Sequence, residues 1–334
     1  MGAFYAGLDV SDKTTALCVI DGAGRIVTED TVATDPLAIS KALAPYKRIL
    51  GRVAHESGSK APWLQKELVR RKFPIVCLDA RAASGVLSAQ RNKTDKNDAR
   101  AIAQLVRTGW YVAAHTKSDE SFRTRLLLTH RRQLKQKAIA IDLCLRGSLK
   151  VFGGYLENRE RVALPKRRKD AVIDGLGDAM VRARTALERE VKKLDAMVLK
   201  LSKSDPVCRR LMTIPGVGPI TALSFRAAVD DPHRFANSRN LAASFGLTPR
   251  RFQSGATDRS GRISKAGDSS MRSALYQAAI SLLVKSKSKC ALRTWGVRLR
   301  KQKGLRLAAT AVARKLAVVM HRMWLTGQDY KAMT

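Results

Sequence analysis

The sequence predicts an α/β first domain followed by a long helical connection and a mainly helical last third. Short runs of strand formers alternate with helical patterns as far as residue 106. Apolar residues then recur every seven positions through the middle of the chain. Glycine-broken helical patterns and a dense basic run fill the rest. At 334 residues the chain has room for about two domains, each with a real core.

Charge sets the partner class. Lys and Arg total 63 against 28 Asp and Glu, a formal net charge of +35. Self-repulsion of that size opposes compaction unless a polyanion neutralises it, and nucleic acid is the expected partner. An anionic membrane is the competitor, but no apolar run approaches the roughly 18 residues of a spanning helix. A signal peptide is not expected, because no basic region precedes an apolar core at the N-terminus. Myristoylation is not expected either, since Ser or Thr does not follow at position 6. The five cysteines (Cys18, Cys77, Cys144, Cys208 and Cys290) contain no CxxC pair. Buried thiols in a reducing cytoplasm are therefore expected, rather than zinc or disulfides. Aromatic residues make up 5% of the chain, thin for stacking single-stranded bases, so binding should rest on backbone charge.

Taken in order, residues 4–10, 14–20 and 25–32 read as a meander of three antiparallel strands, turned between the second and third by Asp21-Gly22-Ala23-Gly24. Pro36 opens a helix to about Tyr46. A fourth strand at 52–55 delivers Glu56. A helix at 62–72, a strand at 74–78 and a helix at 80–89 complete the alternation. Asp9 and Glu56 thus fall at or just past strand ends. Asp95 and Asp98 open a helix running to about Val106, three apart and on one face. Capping is the plain explanation for this last pair, with Asp95 as N-cap and Asp98 complementing the helix dipole. Metal is the other. Hard oxygen ligands hold Mg²⁺, with Mn²⁺ as a substitute, and paired ions stabilise both oxygens of a phosphoryl transfer.

In the middle, Leu127, Leu134 and Ile141 recur every seven residues, with Ala138 and Leu145 offset by four. After breaks at Gly153-Gly154 and Pro165, the stripe resumes with Leu187, Val191, Leu194, Val198 and Leu201. Two long helices forming a coiled-coil stalk or dimer seam are expected; bundle packing inside one chain is the alternative. Lys166, Arg167, Arg168 and Lys169 read as a solvated or phosphate-facing helix start. The expected boundaries are 1–115, 116–204 and 205–334.

Ile214-Pro215-Gly216-Val217-Gly218-Pro219 followed by a helix has the look of a helix–hairpin–helix, whose exposed N–H groups at Gly216 and Gly218 bind a phosphate without reading sequence. His233 sits in a turn-like stretch and is expected to be structural. A short helix is expected at 240–245. The segment 250–262 is small, polar and glycine-broken, with Arg250, Arg251, Arg259 and Arg262 around Ser254, and is expected to be a shaped loop. Ser254 is a candidate nucleophile with the arginines as clamps; a basic loop that only touches phosphate is the plain reading. A helix at 270–285 follows. Residues 285–306 hold nine Lys or Arg and no acid, among them Lys285, Lys287 and Lys289, a candidate nucleic-acid face. A last apolar helix at 307–325 closes the chain.

The order Asp9, Glu56, Asp95, Asp98 resembles the DEDD transposases of bacterial insertion sequences. Gly7-Leu8-Asp9 and Asn92-Lys93-Thr94-Asp95-Lys96-Asn97-Asp98-Ala99 carry the likeness. So do Gly246-Leu247-Thr248-Pro249, Ser254-Gly255 and Ser264-Lys265-Ala266-Gly267 in the second half. His55-Glu56-Ser57-Gly58 departs by one residue from the family pattern. The resemblance implies an RNase H-like (RuvC-like) first domain with the four acids on metal. It also implies Ser254 as nucleophile, forming a 5′-phosphoserine, with Lys265 among the transition-state clamps. Donor and target DNA, a structured noncoding bridge RNA and a homo-oligomer are the implied partners, in a cytoplasmic, nucleoid-associated bacterial protein. With an intermolecular seam, acids of one protomer and serine of another would complete one site. A nuclease or junction resolvase in which water attacks, and a non-catalytic nucleic-acid binder, are the rival expectations.

Overall fold

The computed structural model describes residues 3–87, 92, 94–157, 161–163, 170–255 and 257–330. The chain divides into two compact units, Met1–Lys117 and Ser118–Thr334.

The first unit is built on a five-stranded mixed sheet. Strands β1 (Phe4–Val10), β2 (Thr14–Ile20) and β3 (Ile26–Ala33) form an antiparallel meander. Helix α1 (Pro36–Leu43) leads to β4 (Leu50–Glu56), which returns parallel to β1 with Leu8 beside His55. After α2 (Ala61–Arg70), β5 (Ile75–Leu78) adds parallel to β4, giving the order β3-β2-β1-β4-β5. Helices α3 (Ala80–Leu87) and α4 (Asp95–Thr108) follow. β1 and β4 are central and buried on both faces, which is why the pattern there reads as near-continuous apolar runs rather than alternation. On one face Leu8, Leu17 and Val53 of the sheet form a core with Ile39 and Leu43 of α1 and Leu64 and Leu68 of α2. α4 covers the other so closely that a Cβ on Gly7 would collide with the carbonyl oxygen of Ala99 and the amide of Ala103.

The second unit opens with two long helices, α5 (Asp119–Leu149) and α6 (Ala171–Ser204), joined through a small hairpin of β6 (Tyr155–Glu157) and β7 (Arg161–Ala163) that the sequence pattern missed. They run antiparallel: Arg131 pairs with Asp195, and Arg184 with Asp142 at 3.0 Å. Leu134, Ala138, Ile141 and Leu145 on α5 lie buried or half-buried, as do Leu187, Val191, Leu194 and Val198 on α6. The heptad stripes are therefore covered within one chain, and the seam expected between chains loses its support. Leu201 falls outside the stripe and is exposed.

Helices α7 (Pro206–Leu211), α8 (Pro219–Val229) and α9 (Ser238–Ser244) precede a two-stranded sheet, β8 (Pro249–Ser254) and β9 (Thr257–Ile263). α10 (Ser269–Ile280) ends in a π-helical turn at Ser281–Lys285. α11 (Ala291–Thr326) is one segment broken at Gly304, whose φ of 79° and ψ of 165° leave the helical region. Its first half is the basic run, which the sequence reading had not made helical. The core of this unit centres on Phe225, Leu275, Leu282, Val312, Leu316 and Met320. No helix among the described residues is long and apolar enough to cross a membrane.

Candidate active site

The acids come from the central strands and the helix that lies against them. Because Leu8 pairs with His55 on parallel neighbours, the next residues along are Asp9, last but one in β1, and Glu56, the last of β4. α4 contributes the other two from its first turn. Its N-cap is Thr94, whose hydroxyl accepts the Asn97 N–H at 3.2 Å. The cap expected at Asp95 is thus already supplied by its neighbour, and Asp98 lies four residues inside the helix. Asp95 is exposed, whereas Asp98 is 8% exposed and its Oδ1 has no hydrogen-bond partner among the described residues. A buried carboxylate oxygen left so is costly unless a cation or proton meets it.

Two contacts outside the predicted set position these acids. Arg100, on α4, grips Glu29 of β3 with Nη2 donating to Oε2 at 2.7 Å, and the guanidinium holds the Glu29 carboxyl below its usual range. His55 is wholly buried, with Nδ1 2.9 Å from the Glu56 carbonyl oxygen and Nε2 2.8 Å from Gln65 Oε1. Burial lowers its pKa. A single histidine among apolar neighbours carries no sequence signal that separates this role from plain core packing. Burial, with help from Asp79 and Glu56, pushes the Cys77 thiol up to about 11. The oxygen donors suit a hard divalent cation. Their side chains do not close around one point: among the described residues, no three His, Cys, Asp or Glu converge as a metal set.

Ser254 belongs to the other unit. The segment expected as a loop is a β-hairpin, because Thr257 to Ile263 pairs back on Pro249 to Ser254 with Ser254 opposite Thr257. Ser254 ends β8 at the tip, exposed, and Gly255 turns the chain with a φ of +53°. Ala256 lies outside the described residues. Gly261 needs space rather than an unusual backbone angle, since the Phe252 ring lies over it. Arg251 pairs with Asp258 across the strands at 2.6 Å, while Arg250 reaches the Ser264 carbonyl at 3.2 Å. Arg259, Arg262 and Lys265 are exposed. No described residue hydrogen-bonds the Ser254 hydroxyl.

What holds the hairpin is its root. Ser264 donates its N–H to the Thr248 carbonyl at 2.8 Å and Lys265 to that of Gly246 at 3.1 Å. Gly246 and Gly267 have φ of +66° and +75°, and a Cβ on either would collide with backbone of the facing segment. Arg272 ties both segments together, with Nη1 donating to the Phe245 and Ala266 carbonyls at 2.9 and 3.1 Å. Gly-Leu-Thr-Pro and Ser-Lys-Ala-Gly are thus two halves of one clamp.

Residues 6–152 match a family model for an IS110-type DEDD transposase, and residues 208–293 match the model described as Transposase IS116/IS110/IS902 family. The first span contains all four acids and the second contains Ser254. The chain belongs to this transposase family. It is 28% identical to the transposase for insertion sequence element IS1111A of Coxiella burnetii, over 97% of this chain and 90% of that one. A putative transposase of Sinorhizobium fredii is 28% identical over 86% of this chain and 71% of its own length. A Thermus thermophilus RuvC structure aligns with 33% of this chain and 99% of its own, at 15% identity and a TM-score of 0.27.

The transposase's remaining predicted residues among those described lie in the helical part of the second unit. Gly216 has a φ of +89°, and a Cβ there would sit 2.7 Å from the Ala278 carbonyl oxygen, so this glycine serves close packing on α10. Gly218 is the N-cap of α8, with open space around its Cα. Lys285, Lys287 and Lys289 are exposed on and after the π-helical turn. Lys93 and the basic group Lys166, Arg167, Arg168 and Lys169 fall outside the described residues.

Proposed function

We propose that this transposase cleaves and rejoins DNA with Asp9, Glu56, Asp95 and Asp98 holding Mg²⁺ and Ser254 as nucleophile. The buried Oδ1 of Asp98, without a partner among the described residues and on the helix packed against the two central strands that carry Asp9 and Glu56, is the observation that carries the metal half. A bound divalent ion would supply charge neutralisation at the scissile phosphate. Ser254 Oγ would attack phosphorus, forming a phosphoserine ester as the bond to the 3′ oxygen breaks and that oxygen takes a proton. The bond energy kept in the ester allows rejoining. Arg250, Arg259, Arg262 and Lys265 support the charge on the phosphate, and Arg251 orders the hairpin through Asp258. The chain's charge of +35 suits DNA together with a guide RNA that pairs with donor and target. Leu143, Val172 and Leu176, exposed on α5 and α6, support assembly into a homo-oligomer.

Incubation of the protein with Mg²⁺ and labelled DNA carrying the element's ends tests this reading. The expected product is a denaturation-stable protein–DNA adduct that disappears in Ser254→Ala. Strand cleavage without any adduct, retained in Ser254→Ala, would instead establish attack by water. That second reading draws on the absence of any described base on the Ser254 hydroxyl.

A further inference from the structure

The second unit contains a cavity of about 460 Å³ between α5, the start of α8 and the start of α10, lined by neither the four acids nor the hairpin tip. Its chemistry is that of an anion site. α8 has Gly218 as N-cap with no side-chain cap, and Pro219 at its first position. The N–H groups of Ile220 and Thr221 therefore have no acceptor among the described residues, and they lie where the helix dipole favours negative charge.

A side chain of the same first turn adds to these N–H groups. Thr221 lines the cavity at 8% exposure, and its hydroxyl has no hydrogen-bond partner among the described residues. A hydroxyl in this position can donate to a ligand oxygen in the cavity.

The charges around the cavity sort themselves by pairing. Asp268 caps α10 by accepting the N–H groups of Ser270 and Met271, and it pairs with Arg125. Burial opposes its charge, but those N–H donors and Arg125 hold its carboxyl below the usual range. Arg131 is paired with Asp195. Arg132 alone among these arginines has no carboxylate partner among the described residues; it donates to the Ser270 hydroxyl at 2.6 Å. One uncancelled positive charge, a helix N-terminus and an unpartnered hydroxyl thus line one cavity, whose apolar wall includes Leu128 and Met271.

We infer that this cavity seats one phosphodiester phosphate of a bound nucleic-acid strand, held by Arg132, the Thr221 hydroxyl and the α8 N-terminus. It rests on the nucleic-acid reading above and extends it to a second, non-reacting anchor. Gly216, packed against α10, shapes the turn and does not touch the phosphate.

The test is binding without cleavage, by fluorescence anisotropy of the full chain against double-stranded DNA, single-stranded DNA and single-stranded RNA across a salt series. Arg132→Gln should weaken binding about tenfold and reduce the log–log salt slope by roughly 0.7 to 0.9, the loss of one phosphate contact. Arg182→Gln removes one exposed, unpaired positive charge from α6 and should change neither. Thr221→Val should weaken binding about threefold at unchanged slope, since a neutral donor is lost, and Thr221→Ser should restore it. Thermal melting of each variant checks folding. An effect confined to DNA or to RNA assigns the phosphate to that polymer. If Arg132→Gln behaves like Arg182→Gln on all three probes, the anchor is wrong while the nucleic-acid reading stands. If the wild-type chain binds none of them in a salt-dependent way, both fall.

Discussion

The acids and the serine are presented in opposite ways. The carboxylates stand on the two central strands of a five-stranded sheet and on a helix packed so tightly that Gly7 has no room for a methyl group. Ser254 stands at the tip of a two-stranded hairpin whose described residues are exposed almost throughout. An isolated two-stranded ribbon has little stability of its own, so the order at its tip must come from the clamp at its root. A cation site needs fixed donors, because like charges held together repel until the ion arrives. A nucleophile that must meet a long polymer gains from reach and adaptability. In these two regions, rigidity follows the chemistry proposed for each.

Breaking the rigid side should have the largest effect. Asp98→Asn removes the buried charge while keeping the shape, and strand cleavage in Mg²⁺ should fall by about a thousandfold or more. The same change should abolish any rise in melting temperature of the wild type on adding Mg²⁺ or Mn²⁺. Full cleavage in Asp98→Asn would remove the metal role from this residue.

The two glycines probe packing directly. Gly7→Ala forces α4 off β1 and should cost about 3 kcal/mol, the scale of a severe overpacking change. Gly255→Ala meets open space and only the penalty of a left-handed residue, about 1 kcal/mol. Chemical denaturation of both variants, followed by tryptophan fluorescence, gives the ratio. Equal losses would mean that the tip is as tightly packed as the sheet.

Arg272→Ala sharpens the comparison from the other end. It leaves the Phe245 and Ala266 carbonyls without a donor, and it should loosen the hairpin by about 1 to 2 kcal/mol without changing the first unit. Hydrogen exchange read separately at β8–β9 and at β1–β4 should show faster exchange only in the former. Uniform acceleration would mean that the root is no local clamp.

The smallest effect concerns acid. The Asp268 carboxyl is held below its unfolded value of about 3.9, so the stability it contributes is present above that value and is lost as pH falls through the lower, folded-state value. Asp268→Asn should flatten the acid end of the stability curve below about pH 4. An unchanged acid limb would show that the carboxylate adds nothing beyond what the amide supplies.

Much was legible in the residues alone. The five strands and α4 announced themselves through apolar runs, turn residues and an acidic helix start, because those signals are local. The four acids and Ser254 were named from their spacing and their likeness to a family pattern. The cap at Thr94 was one residue from where the acids suggested it, since Thr and Asp are both good caps and only the backbone path chooses between them. Ser254's loop proved to be a hairpin because its arginine-rich strands show no apolar alternation; pairing is decided by the clamp at the root, which joins residues far apart in sequence. The heptad stripes told that α5 and α6 bury a face but not against what, since a stripe looks the same whether its partner lies in the same chain or another. Only tertiary structure could decide that partner. It decided also which charges cancel: Arg251 against Asp258, Arg125 against Asp268, with Arg132 left over. Composition gives the sum of the charges, while the distances that pair them exist only once the chain has folded.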